Sequence, residues 1–169
     1  MKKVLMSALA LMLLAGCGSS KSSSNTTSSS GYVFEVNGTT IAMMDTMSDV
    51  EDAIGEPLQD PEIANSCAFD GYDGTYVYGS YYIYTAKCDK TNNVEKVSGI
   101  DLKDDSVSTK EGIALGDSKD KVVEAYGDDY KDNNGEYVYT SGDMTLSFQF
   151  DSSDNVSNIS YYATGLADE

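Results

Sequence analysis

Carboxylates are the only abundant reactive side chains in this sequence. Asp and Glu number 28 against 11 basic residues, all of them Lys, and the formal net charge is −17. Histidine is absent, which excludes Ser-His-Asp and Cys-His catalytic arrangements and imidazole metal ligands. A hydrolase with paired carboxylates needs two acids roughly 5–10 Å apart across a cleft, whereas these acids are scattered through predicted turns. We therefore predict no enzymatic activity and no catalytic residues.

Three oxygen-rich turns are the other candidates for chemistry. Residues 70–74, 89–95 and 128–136 contain spaced Asp, Asn and Glu oxygens, which are ligands that Ca²⁺ prefers. None fits the EF-hand loop; residues 89–94, for example, lack the glycine required at its sixth position. We interpret these segments as solvated turns and predict no metal and no cofactor. The negative charge also repels phosphate backbones, so we expect no nucleic-acid partner.

The N-terminus carries a processing signal. Lys2 and Lys3 precede an apolar run from Val4 to Ala15, which is too short to form a spanning helix. The run ends in Leu14-Ala15-Gly16-Cys17, which resembles the lipobox of bacterial lipoproteins. This resemblance implies that residues 1–16 are a signal peptide and that the thiol of Cys17 carries a diacylglycerol. Two acyl chains suffice for stable anchoring, so we expect a lipid-anchored protein on the extracytoplasmic face of the cell membrane.

Residues 17–30 follow as a linker. Beyond Cys17 they are Ser, Thr, Asn, Gly and one Lys, with no apolar side chain to bury. A chain of this composition behaves as a flexible coil with a root-mean-square reach of roughly 20 Å. The folded part is therefore expected to stay near the membrane and to reorient freely.

Cys67 and Cys88 remain once Cys17 carries lipid. Export permits a disulfide between the two. With a tight turn at Gly79-Ser80, strict strand register would place Cys67 well past Cys88. A bulge of about four unpaired residues at 71–74 would bring Cys67 back opposite Cys88. A Cys67–Cys88 bond is our preferred interpretation, and two buried free thiols are the alternative.

One segment of the sequence occurs twice. Residues 113–127 align without a gap to residues 41–55, and each predicts a loop, a short helix and a terminating glycine. Ahead of the first helix, Asn37-Gly38 predicts a hairpin turn between two short strands. Alternating strand patterns follow each helix, starting with a predicted strand at residues 66–70 in the first half. In residues 144–150 the alternation predicts one packed face and one solvent-exposed face. The sequence therefore predicts an α+β fold of two tandem helix-plus-antiparallel-sheet repeats, residues 31–105 and 106–169, with the helices on one face of the sheet.

This plan resembles the tandem fold of the β-lactamase inhibitory proteins. The resemblance rests on residues 113–127 and 41–55, and on a Cys pair about twenty residues apart. The stretches Ser66-Cys67-Ala68-Phe69 and Asp104-Asp105-Ser106-Val107 are also similar to a family of Gram-positive surface lipoproteins of unknown function. The first resemblance implies a sheet face that grips an enzyme. None of the enzyme-binding residues of that family can be matched in this sequence, so the resemblance implies inhibition only by analogy of fold.

A hairpin rich in tyrosine is the candidate contact surface. Adjacent strand residues face opposite ways, so Tyr81 and Tyr82 cannot both lie in the core. One interpretation is that Tyr is simply the sheet-favouring aromatic beneath the helices. The other is that some of these residues line an open sheet face and contact a protein or glycan. The candidate residues are Tyr76, Val77, Tyr78, Tyr81, Tyr82, Ile83 and Tyr84.

These observations predict a non-enzymatic, monomeric lipoprotein that is anchored to the membrane through Cys17. Its leading predicted role is a protein-interaction module that uses the open sheet face. One alternative is an inhibitor of a secreted or envelope hydrolase. A second is a carboxylate-dependent enzyme acting on envelope polymers. A tyrosine patch on the open face would favour binding, whereas a pocket lined by carboxylates would favour chemistry.

Overall fold

A computed structural model describes residues 31–166 as ten strands, two α-helices and one short 3₁₀ helix. The α-helices are α1 Met47–Ile54 and α2 Lys119–Tyr126, and the 3₁₀ helix spans Asp89–Thr91. The strands are β1 Val33–Val36, β2 Thr39–Ala42, β3 Glu62–Asn65, β4 Gly71–Val77, β5 Tyr81–Cys88, β6 Lys96–Leu102, β7 Lys131–Asn133, β8 Glu136–Ser141, β9 Met144–Phe150 and β10 Val156–Ala163.

Eight of the strands form one antiparallel sheet in the order β3-β4-β5-β6-β10-β9-β8-β7. The centre of this sheet is the β6–β10 pair, in which Leu102 lies opposite Ile159 and Ile100 opposite Tyr161. Strands β3 and β7 are its two edges. β1 and β2 pair separately around Asn37-Gly38. Positive φ angles of 50° and 80° at these two residues confirm the predicted Asn-Gly hairpin turn.

The predicted fold class is wrong. The described chain is mostly β, with one continuous eight-stranded antiparallel sheet, a separate two-stranded sheet and only two short helices, so it is not two helix-plus-sheet repeats. The physical reason lies in the β6–β10 pairing, which joins the strands of both halves into one ladder. Each helix has only eight residues and contributes few buried side chains, chiefly Met47, Val50 and Val122.

The two similar segments nevertheless share local structure. Oδ2 of Asp45 accepts the Ala42 N–H at 2.8 Å, and Oδ2 of Asp117 accepts the Ala114 N–H at 2.8 Å. Each bond fixes the loop ahead of a helix. The Ser118 hydroxyl also accepts the Lys121 N–H at 3.3 Å and caps α2.

A terminating glycine ends each helix, as predicted. Gly55 follows α1 with φ 93°, and Gly127 follows α2 with φ 82°. A residue without Cβ adopts such a backbone without strain. The first half departs from the prediction further on, because the expected strand at 66–70 is absent and β3 lies earlier, at Glu62–Asn65.

The core lies on the helix-bearing face of the sheet. Met144, Leu146 and Phe148 are buried there, which confirms the predicted packed face of β9. The buried side chains of both halves and of the β1–β2 hairpin form one cluster, which also includes Phe34, Ile83, Ile100, Val122 and Tyr161. Among residues 31–166, neither the α-helices nor the β1–β2 hairpin packs on the opposite side of the sheet, which is called the open face below.

Candidate functional site

The structure divides the predicted tyrosine surface between the two faces of the sheet. Tyr76, Tyr81 and Ile83 are buried in the core, with 5%, 6% and 0% of their surface exposed. Tyr78 lies with them, because its ring stacks on that of Tyr81 with centroids 5.2 Å apart and its hydroxyl donates to the Gly55 carbonyl at 3.1 Å. These four residues therefore support the helix-bearing face and do not belong to a contact surface.

The other three predicted residues lie on the open face. Val77 pairs directly with Tyr82, and Thr75 pairs with Tyr84, so the four side chains project from the same side. Val77, Tyr82 and Tyr84 are each half-buried. The prediction that Tyr81 and Tyr82 face opposite ways is confirmed.

Tyr162 completes this aromatic cluster. Gly99 pairs with Tyr84 on one side and with Tyr162 on the other. A Cβ placed at Gly99 would lie 3.4 Å from Tyr84 Cδ2 and 3.7 Å from Tyr162 Cδ1, so the two rings flank the bare glycine. Tyr162 is 40% exposed. The adjacent Tyr161-Tyr162 pair was the signal available in the sequence, because one member of such a pair must face away from the core.

Asp101 organises the polar part of the open face. Its Oδ2 accepts the Lys103 ammonium at 2.7 Å and the Tyr84 hydroxyl at 3.0 Å, and its Oδ1 accepts the Ser160 hydroxyl at 2.6 Å. The Ser160 hydroxyl in turn accepts the Asn158 amide at 2.8 Å. These donors come from β5, β10 and the end of β6, so the network connects three neighbouring strands. Bonds to an ionised acceptor are stronger than neutral ones.

The surroundings of Tyr84 and Lys103 raise the pKa of both side chains. Burial, and then the charge of Asp101 and the hydrogen bond to it, raise the pKa of the Tyr84 hydroxyl, while Lys103 opposes the shift. Burial lowers the pKa of Lys103, but its bond to Asp101 and that carboxylate's charge outweigh burial and raise it overall. Tyr84 therefore remains a donor and Lys103 a cation near neutral pH. The Lys103 ammonium also lies 4.8 Å from the centroid of the Tyr82 ring.

Ser147 lies beside this network, but its hydroxyl takes no part in it. It pairs directly with Ser160 across the β9–β10 ladder and is 2% exposed. Its buried hydroxyl has no hydrogen-bond partner among residues 31–166. The alternation of β9 predicted that Ser147 would be exposed to solvent. This prediction is wrong, because its cross-strand neighbours bury the side chain.

The preferred disulfide is not present. Cys67 is an exposed free thiol and Cys88 a buried one. The β4–β5 register runs without a shift from Val77 opposite Tyr82 to Gly71 opposite Cys88. No such bulge occurs at residues 71–74, so Cys67 lies beyond its intended partner.

The remaining predicted features of the chain fall into two groups. Cys17, the signal peptide and the linker lie outside the described residues. Within residues 31–166, no helix is long and apolar enough to cross a membrane. The same part of the chain holds no group of three or more Cys, Asp or Glu side chains placed to bind a metal ion.

Comparisons with known proteins add little to this geometry. No protein-family model matches the chain, and no curated protein matches it. The crystal structure of a DUF4309 family protein (YjgB) from Bacillus subtilis subsp. subtilis str. 168 is similar, with a TM-score of 0.43 and 19% sequence identity over 76% of this chain and 84% of that chain. At this level of similarity the match carries no argument about the function of this chain.

Proposed function

We propose that this chain is a membrane-anchored extracytoplasmic lipoprotein that binds a protein partner through the open face of its sheet, without catalysis. The observation that carries the proposal is the cluster of Tyr82, Tyr84 and Tyr162 beside the Asp101 network. Tyrosine is enriched in protein interfaces, because its ring offers a large apolar contact area and its hydroxyl a polar end.

Preorganisation supports a binding role. The Tyr84 ring is held by its hydrogen bond to Asp101, and Tyr82 lies under the Lys103 ammonium. Side chains that are already ordered in the free protein lose less conformational entropy when a partner binds. The open face therefore presents rings in fixed positions.

The charge of the chain restricts the chemistry of the partner. The net charge is −17, whereas the open-face network pairs Asp101 with Lys103. A strongly acidic partner would be repelled over distances near the Debye length of roughly 8 Å. The proposed partner therefore presents a neutral or basic surface.

The role of Asp101 argues for binding and against chemistry. Lys103, Tyr84 and Ser160 all donate to this carboxylate, which makes it a structural acceptor. A general base needs an available lone pair directed at the proton it removes. The best-defined carboxylate of the open face is thus used to hold strands and rings together.

The anchor is the second part of the proposal and depends on the lipobox. Lipid on Cys17 would keep the domain within linker reach of the membrane surface. Growth with an alkyne-bearing fatty acid should label the wild-type chain and leave the Cys17→Ser variant unlabelled. Equal labelling of both chains would overturn this part alone.

The binding role is tested by comparing matched variants. The full chain is immobilised and exposed to envelope extract in parallel with Tyr82→Ser/Tyr162→Ser and with Glu124→Gln, whose side chain is exposed on α2. We expect one protein species to be retained by the wild type and the control and to fall at least about tenfold with the double variant, because two interface tyrosines each contribute over about 1 kcal/mol. Equal retention by all three, or retention of oligosaccharide alone, contradicts the proposal.

A further inference from the structure

The outer side of β3 is an open sheet edge with backbone groups directed away from the sheet. The Ser66 N–H donates to the Gly71 carbonyl at 3.0 Å, and the β3–β4 register places Ala64 opposite Asp73. Because bonded pairs alternate along an antiparallel ladder, Glu62 and Ala64 direct their backbone groups towards β4. Ile63 and Asn65 direct theirs outward, and no described strand pairs with that side.

A small cavity lies beside this edge, on the Ile63 side of the sheet. Its volume is about 250 Å³, and it is lined by Ile63, Tyr72, Asp73, Lys87 and Glu95. Sites for free small molecules are typically larger, roughly 300–1,000 Å³. The cavity therefore fits one side chain of an attached chain better than a separate ligand.

Gly74 lets two of the cavity's wall residues pack closely against the backbone of β4. A Cβ at Gly74 would lie 2.9 Å from both Ile63 Cδ1 and Glu95 Oε1, so those two side chains converge above a bare backbone. Oε1 of Glu95 already accepts the hydroxyls of Tyr76 at 2.9 Å and Thr85 at 2.6 Å. A carboxylate has a second oxygen that these two bonds do not use.

Charge distinguishes between possible occupants of the edge. Asp73 and Glu95 outnumber Lys87 in the cavity wall, and Asp60 and Glu62 add further negative charge along the edge. A second copy of this chain would bring its own acids against these, and like charges directly opposite are destabilising. An extended segment with basic side chains has the complementary charge.

We propose that the β3 edge binds an extended basic peptide segment by strand addition, with a Lys or Arg side chain reaching into the cavity beside Ile63. Ile63 and Asn65 supply the main-chain hydrogen bonds, as in other cases of strand addition. A residue opposite Ile63 places its side chain beside Ile63. Glu95 lies above Gly74 of β4, two strand spacings or roughly 9.6 Å from the added strand, so a long Lys or Arg stem must cross over Ile63 to bring its cation towards that carboxylate. This site lies apart from the open face and does not depend on the function proposed for that face.

Amide hydrogen exchange tests this site at the residues that carry it. The probe is a blocked seven-residue peptide of alternating Thr and Lys, added to the full chain in non-ionic detergent. At tenfold excess over its Kd we expect exchange of the Ile63 and Asn65 amides to slow about tenfold. The Ala64 amide, already directed at β4, should change little. Absence of binding, or binding that leaves Ile63 and Asn65 unprotected, overturns the proposal.

Matched controls separate strand addition from charge attraction. The same peptide with alternate amides N-methylated keeps its charge but loses main-chain donors, and it should give no protection. The Ile63→Pro variant loses an outward N–H that the fold does not use and should lose binding, whereas Ile63→Ser keeps that N–H and should retain protection of Asn65. Equal protection by a Thr-Glu peptide overturns the proposal, as does protection that rises with protein concentration alone.

Discussion

The Tyr84 hydroxyl donates a hydrogen bond of 3.0 Å to Oδ2 of Asp101 across the β5–β6 ladder. The donor and acceptor are diagonal neighbours, because Asp101 pairs directly with Tyr82 and Tyr84 with Gly99. The bond therefore ties an aromatic ring of the open face to the strand at the centre of the sheet. This one contact links the stability of the sheet to the arrangement of the proposed interface.

Removing the Tyr84 hydroxyl should cost a small, measurable amount of stability. Tyr84→Phe keeps the ring but deletes the donor to Asp101, while Lys103 and Ser160 continue to donate. We expect the free energy of unfolding to fall by about 1 kcal/mol, the usual net value of one hydrogen bond. Urea denaturation measures the change. An unchanged midpoint would show that the bond does not contribute.

Two serines that face each other should respond oppositely to the same substitution. Ser147 has a buried hydroxyl with no described partner, so Ser147→Ala removes an unsatisfied group and should stabilise the fold by about 1 kcal/mol. Ser160→Ala deletes the donor to Asp101 Oδ1 and should destabilise it by about 1–2 kcal/mol. Urea titrations of the two variants, made side by side, measure both signs. Destabilisation by Ser147→Ala would reveal an unrecognised partner of that hydroxyl.

Partial burial and neighbouring acids destabilise the ionised form of one carboxylate on α1. Burial, and then the charges of Glu56, Glu95 and Asp52, raise the pKa of Glu51. Since the folded-state pKa lies above the unfolded one, ionised Glu51 lowers stability at pH above the folded pKa, and the effect vanishes where both states are protonated.

Glu51→Gln should therefore raise the free energy of unfolding at pH 7 by a few tenths of a kcal/mol, a small value because the site is largely solvated. The gain should disappear below about pH 4. Glu124→Gln, on α2, controls for the general loss of negative charge. A gain of equal size at both pH values, or in both variants, contradicts the assignment to Glu51.

The two described cysteines should differ sharply in reactivity. Cys67 is exposed and Cys88 is 3% exposed, and both are free. A thiol reagent should modify Cys67 in the native protein and Cys88 only in denaturant, as read by mass spectrometry of the peptides. Resistance of both residues to labelling until a reductant is added would instead indicate the disulfide.

The sequence was informative where a local pattern determines the structure. The Asn37-Gly38 turn, the glycines that end both helices and the buried side of β9 were all predicted correctly. Each depends on a few adjacent residues, through left-handed backbone preference or strict alternation. The position of Tyr81 opposite to Tyr82 also followed from alternation alone.

Features set by distant pairing were not predictable. The β6–β10 pairing joins residues some sixty positions apart, and it converts the expected repeats into one sheet. The burial of Ser147 depends on the side chains of the flanking strands β8 and β10, so the alternation of β9 alone could not reveal it. Strand β3 is exposed at all four positions and therefore shows no alternation to detect. The choice of core tyrosines likewise depends on register, since every candidate ring is the same residue type.

Site-specific photocrosslinking on intact cells tests most directly the claim that the open face is the binding surface. A photoreactive residue replaces Tyr162, which is 40% exposed on that face, or Glu124, which is exposed on α2. The proposal predicts a discrete adduct with one protein from position 162, none from position 124, and loss of the adduct when Tyr82→Ser is added. Adducts from position 124 alone, or equal adducts from both positions, would contradict it.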